Sequence, residues 1–226
     1  MAVVAVLTAA YLGAVWLGLR LVVEPEQIAV FWPASGLALG VLLATPKRRW
    51  PSILAAWFVA HAAAELAYGV QIIESLAYPA IALGEVALGA SLALRTTGRT
   101  SLVELDRRGL VAMTGWMTLV AAPLSAVAAS AVHHYMIGTD FIKVAVLWWS
   151  AEVVGELVVA PALLTAPALV HWWSRANRSR RIEGAVGLAA TVLFGVATFA
   201  MPAQYGSLGQ RLLRCRVLCW SYSARA

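Results

Sequence analysis

Long apolar stretches alternate with short polar connections along the whole chain. Seven stretches stand out: Ala2–Val23, Ile28–Thr45, Pro51–Tyr68, Ile72–Leu94, Leu110–Val132, Phe141–Val170 and Ala185–Met201. About 20 helical residues cross the hydrocarbon core of a bilayer, so each stretch predicts a membrane-spanning helix. The sixth is longer than one crossing needs, and Pro161 and Pro167 lie inside it. It is expected to tilt, kink or run beyond the bilayer. Neighbouring helices can satisfy the carbonyls that a membrane proline leaves free. The pattern therefore predicts an all-α fold, a polytopic transmembrane helix bundle of about seven spans. No Lys or Arg precedes Arg20, and the first apolar run is too long for the h-region of a signal peptide. It is read as a retained helix.

The polar connections give an orientation. Three are basic: Lys47, Arg48 and Arg49; then Arg95, Arg99, Arg107 and Arg108; then Arg175, Arg178, Arg180 and Arg181. The alternating connections, Glu24–Gln27, Gly69–Gln71 and His133–Asp140, hold no Lys or Arg. Cytoplasmic loops carry the excess of Lys and Arg, so this bias places the N-terminus in the cytoplasm. Arg20 and Lys143, near the outer ends of their spans, soften the bias without reversing it.

Composition fits the same picture. The 226 residues are 62% hydrophobic and 12% charged, against roughly half and a quarter in soluble domains. A net charge of +6 concentrated in loops is no argument for nucleic acid. The ten Trp suit membrane interfaces. Cys215 and Cys219, spaced C-x3-C without a neighbouring His, make neither a disulfide framework nor a zinc site, and no metal site is assigned. Composition changes after residue 205. Residues 1–205 read as the transmembrane region and 206–226 as a basic C-terminal tail, with Arg211, Arg214, Arg216 and Arg225. A truncated or out-of-frame terminus is preferred there over a natural tail on the membrane surface.

Ionisable residues inside the spans are the candidate chemistry, because a charge in hydrocarbon costs a few kcal/mol and needs a partner in the bundle interior. Glu152 and Glu156, four residues apart, share one face of the sixth span. His61 and Glu65 share a face of the third, and Glu85 sits in the fourth. Two readings stand: a polar cavity, open to the outside, that binds a cation or small ligand, or hydrogen bonds that only fix helix packing. Glu74 lies near an outer end, where it is expected to reach water. His133 and His134 are expected to be solvated at the outer end of the fifth span. Ala121, Ser125 and Ala129, and Ala80 with Gly84, form small-residue rows that suit close helix approach. Phosphate-loop, nucleophile-elbow, zinc-protease and dinucleotide motifs are absent from the sequence, so no enzyme is predicted.

Two segments are more specific. Phe31-Trp32-Pro33-Ala34-Ser35-Gly36 opens the second span. Trp148-Trp149-Ser150-Ala151-Glu152-Val153-Val154-Gly155-Glu156 leads to Ala160-Pro161 in the sixth. Together they resemble the MASE1 family of membrane-associated sensor domains, over roughly Ile28 to Trp173. Trp32, Pro33 and Gly36 match its first motif. Trp148, Trp149, Glu152, Gly155 and Pro161 match its second, with Glu152 where the family typically has Asp. Glu156 departs from a position that is usually small and apolar.

The resemblance implies a multi-pass sensory input module in a bacterial inner membrane, with the lipid bilayer as its medium. Its expected partner is a histidine kinase or diguanylate cyclase output, since the basic loops are too short to fold as catalytic domains. Ligand-binding candidates are then Glu152, Glu156, Trp148, Trp149, His61, Glu65 and Glu85. A small transporter or substrate-binding membrane subunit is the alternative, because midplane carboxylates and broken helices occur there too.

Overall fold

A computed structural model describes residues 2–24, 26–103 and 105–175, with 177, 179 and 182–186 beyond. The chain divides into two units, Met1–Ala168 and Leu169–Ala226. In chain order the elements are α1 (Ala2–Arg20), β1 (Val22–Val23), β2 (Ile28–Ala29), α2 (Pro33–Ala44) and a short 3-10 turn, Lys47–Arg49. There follow α3 (Trp50–Tyr68), α4 (Ile72–Thr97), α5 (Arg107–Trp116), a π-turn (Met117–Ala121), α6 (Ala122–Ile137) and α7 (Phe141–Arg175). Among the described residues, three continuous helices are long and apolar enough to cross a membrane: Ile72–Thr97, Arg107–Ile137 and Phe141–His171. The fold is an all-α polytopic membrane bundle. The expected span Ala185–Met201 and the tail lie outside the described residues, apart from a helical stretch at 182–186.

The second span differs from expectation. Its helix starts at Pro33, five residues after the apolar run begins, because Ile28–Ala29 pairs with Val22–Val23 in an antiparallel hairpin. Proline disfavours helix in the residue before it yet suits the first helical turn, so Pro33 sets the start. Trp32 accordingly has φ −119° and ψ 83°, outside the helix. At about 1.5 Å per residue, the 12-residue α2 is about 18 Å long, well short of a hydrocarbon core of about 30 Å. The hairpin residues Val22, Ile28 and Ala29 instead line a cavity. Non-helical backbone is tolerated there only inside protein or beside a water-filled cavity.

Helix α2 is the axis of the first unit, with ten of its residues buried. It packs against α1 and α4, and α4 also packs against α3, α5 and α6. Its crossing with α7 is a glycine contact. A Cβ at Gly36 would strike the Gly155 carbonyl, and one at Gly155 would strike the Trp32 carbonyl. One turn on, Gly40 faces Leu163 and Ala160. Association in lipid rests on such close packing rather than on a hydrophobic gain. The row Ala121, Ser125 and Ala129 is buried, whereas Ala80 and Gly84 are exposed, so the latter row is no contact within this unit.

At one end of the bundle the second basic connection meets the end of α2, where the Leu102 N–H donates to the Leu43 carbonyl at 2.7 Å. Asp106 caps α5 through the Gly109 N–H (2.8 Å) and takes both guanidinium arms of Arg99 at 2.7 and 3.0 Å. Those contacts, the Gly109 N–H foremost, hold the Asp106 carboxyl below the usual carboxylate range.

Candidate functional site

The opposite end, formed by the hairpin, the α3–α4 connection and the ends of α6 and α7, encloses a cavity of about 470 Å³. That volume falls in the range of small-molecule sites. Gly69, at φ 100°, turns the chain sharply from α3 into α4 at its mouth, a conformation open to glycine at little cost. Gln27, also at the mouth, holds φ 54° in the hairpin turn, uncommon for a residue with a Cβ.

Inside, α3 supplies His61 and Glu65, whose Nε2 and Oε1 lie 3.2 Å apart. The i,i+4 spacing on one helix brings them together. On its other side the His61 Nδ1 meets the Tyr11 hydroxyl at 3.0 Å. Trp32 lies over the His61 ring, with centroids 5.5 Å apart and planes 28° from parallel. The α2–α7 crossing holds Trp32 there, aided by its N–H, which donates to the Ala151 carbonyl. From α7, Glu152 reaches the cavity floor and Trp148 forms a wall against Tyr78, ring centroids 5.3 Å apart.

A second network closes the outer part. The Tyr78 hydroxyl donates to Glu74 at 2.9 Å and lies 2.7 Å from the His133 Nδ1. His133 Nε2 sits 2.8 Å from the Glu26 carbonyl oxygen, tying α6 to the hairpin. The Glu26 carboxylate pairs with Lys143 of α7. Its hydrogen bond from Lys143 lowers the Glu26 carboxyl from its ordinary value. Glu74 and His133 are buried, at 4% and 2% exposure, against the expectation that both meet water. Each finds its partners on another helix or on the hairpin, which spacing along one helix does not reveal. Glu26, Tyr78 and Tyr11 were likewise missed by the sequence reading. His134 is exposed, as expected, and its Nδ1 lies 2.6 Å from the Thr139 carbonyl nearby in the chain.

Behind Glu152 lies a cluster of three carboxylates. Glu85 of α4 joins Glu152 and Glu156 of α7, with an oxygen from each within 4.8 Å of the others. All three are buried. Ser125 neighbours Glu85, yet neither Glu85 oxygen makes a hydrogen bond, and neither does either oxygen of Glu156. Among the described residues none of the three forms an ion pair. Two charges 4.8 Å apart repel by about 3 kcal/mol even at an effective dielectric near 20, so the cluster must take up protons or a cation. Three carboxylate oxygens would suit a hard cation.

The structure thus brings Glu152, Trp148, His61 and Glu65 into one cavity, and Glu85 and Glu156 into a cluster joined to it through Glu152. Trp149 stands apart. It is 37% exposed, and its indole N–H donates to the Thr118 carbonyl at 3.0 Å, away from the cavity lining. Of the motif residues, Trp32, Pro33, Gly36 and Gly155 build the α2–α7 crossing, while Pro161 lies in α7 about two and a half turns beyond Glu152.

A polytopic helix bundle with a polar, partly water-accessible interior defines a class of membrane protein in which the helices enclose a site. The model of the MASE1 family matches residues 1–210, and the chain belongs to this family of membrane-associated sensor domains. No curated protein and no solved structure matches it. The family makes the chain a membrane sensory input domain of signalling proteins.

Proposed function

We propose that this domain sits in a bacterial inner membrane with its N-terminus in the cytoplasm. It reads a small ligand that enters the cavity from outside. The observation that carries this reading is that Glu152 belongs both to the cavity lining and to the buried cluster with Glu85 and Glu156. A ligand that meets Glu152 changes the charge balance between α4 and α7. Such a ligand shifts helix positions only as far as its affinities for the two arrangements differ. A histidine kinase or diguanylate cyclase output would receive the shift.

Orientation and access are tested with single cysteines at Gln27, beside the cavity mouth, and at Arg48, in the basic turn. Both go into a chain whose Cys215 and Cys219 are replaced by Ala. A membrane-impermeant maleimide applied to intact cells should label the Gln27 site and spare the Arg48 site. The reverse pattern would refute the reading.

The short α2, broken from its apolar run by the hairpin, favours one other reading, a small transporter, since discontinuous helices flank midplane sites there. Solute uptake into vesicles, abolished by Glu152→Gln, would select it.

A further inference from the structure

Unpartnered polar atoms on residues that line the cavity indicate what it takes. Glu65 and Glu152 are 3% and 2% exposed, and the Oε2 of each makes no hydrogen bond. The Trp148 indole N–H, on the cavity wall, is also buried and unpartnered. Buried polar atoms left unpaired cost about 1–3 kcal/mol each, so a native site exposes them to something that completes them. The His61 Nε2 also makes no hydrogen bond but sits 3.2 Å from the Glu65 Oε1. The two free carboxylate acceptors then call for a ligand that brings at least two N–H or O–H groups.

Charge narrows the class. Four carboxylates line the cavity: Glu24, Glu65, Glu74 and Glu152. The basic side chain beside them is Arg20, whose guanidinium lies 4.8 Å over the Trp16 ring. Lys143 is held by Glu26. An anionic ligand would meet repulsion at the floor. The rings of Trp32, Trp148 and Tyr78 border the same space, and aromatic faces attract organic cations. A small divalent ion such as Mg²⁺ keeps its water and gains nothing from such walls.

We infer that the cavity binds a small organic cation with N–H donors, a primary ammonium or a guanidinium, held between Glu65 and Glu152 against Trp32 and Trp148. The inference rests on the sensory reading and names its ligand class.

The test is calorimetric titration of the full chain in phosphatidylcholine nanodiscs, treated with chelator. The probes are n-butylammonium, guanidinium, tetramethylammonium, Mg²⁺ and acetate. Butylammonium or guanidinium should bind saturably, tetramethylammonium more weakly for want of N–H donors, and acetate not at all. Glu65→Gln should weaken butylammonium by about tenfold, the scale of one hydrogen bond to a charged group. Trp148→Phe, which keeps a ring but loses the N–H, should weaken it less. Trp149→Phe should change nothing. Glu65→Gln leaves the three-carboxylate cluster intact, so it tests the site even where Glu152→Gln disturbs the fold.

Tighter binding of acetate than of either N–H cation would overturn the inference, as would tighter Mg²⁺ binding that Glu65→Gln weakens. So would butylammonium affinity unchanged in Glu65→Gln, or no binding of any ammonium or guanidinium up to about 10 mM. The sensory reading fails separately, through the maleimide pattern at Gln27 and Arg48.

Discussion

The contact between α2 and α7 gives the sharpest mechanical prediction, because it brings backbone against backbone. A Cβ at Gly36 would stand 2.7 Å from the Gly155 carbonyl carbon and 2.8 Å from the Val159 Cβ, where ordinary contact begins at 3.4 Å. The Gly155 carbonyl oxygen stands closer still, so the Gly36→Ala substitution must push the helices apart by more than about 0.7 Å. Neither neighbour can swing away, since one is backbone and the other a β-branched Cβ. Overpacking of this kind costs about 1–3 kcal/mol. It also strains the 3.3 Å bond from the Trp32 N–H to the Ala151 carbonyl, beside the cavity. Gly155→Ala should cost a similar amount by striking the Trp32 carbonyl. Both report on one interface, so the double variant should cost clearly less than the sum of the singles. Reversible unfolding in mixed dodecylmaltoside–SDS micelles measures all three. Single variants within about 0.3 kcal/mol of the parent, or strictly additive costs, would show that the helices do not meet at these glycines.

Other consequences follow from particular contacts. Tyr78→Phe removes the hydroxyl shared by Glu74 and His133 and should lower unfolding free energy in the same micelles by about 1–3 kcal/mol; no loss would place the pair in water. Glu156→Gln in chelator-treated protein should leave the midpoint unchanged or raise it, since it removes a carboxylate that has no hydrogen-bond partner. A lower midpoint would mean that the Glu156 carboxylate has a stabilising partner within the fold. Asp106 has a lowered carboxyl value, so its cap on α5 stabilises the fold above the ordinary carboxylate range. That contribution fades as pH falls through the lowered value. Protection of the Gly109 N–H from hydrogen exchange, relative to its intrinsic rate, should fall over that acid window in the parent and be low at all pH in Asp106→Ala; pH-independent protection would remove Asp106 from the cap.

Legibility in the sequence followed the range of the interaction. The membrane class came from run length alone, since a bilayer demands long apolar helices and basic residues sort to short loops. The Trp32-Pro33-x-x-Gly36 opening was readable because proline and glycine impose local geometry. His61 with Glu65, and Glu152 with Glu156, were readable as pairs because four residues make about one helical turn. The hairpin at Ile28–Ala29 was not, since its apolar residues look like helix until they pair with Val22–Val23.

The amino-acid sequence by itself determined that this chain lives in a membrane as helices, where its basic turns gather, and which glycines and prolines shape the backbone. Only the tertiary structure decided which side chains face inward. In lipid both faces of a helix are apolar, so hydrophobic contrast around the helix says little about its orientation. The union of Glu85 with the α7 carboxylates, the burial of Glu74 and His133, and the outward turn of Trp149 all depend on contacts between distant segments. The π-turn at Met117–Ala121, packed against Gly89 of α4, adds a register shift within one helix that no fixed period along the sequence carries.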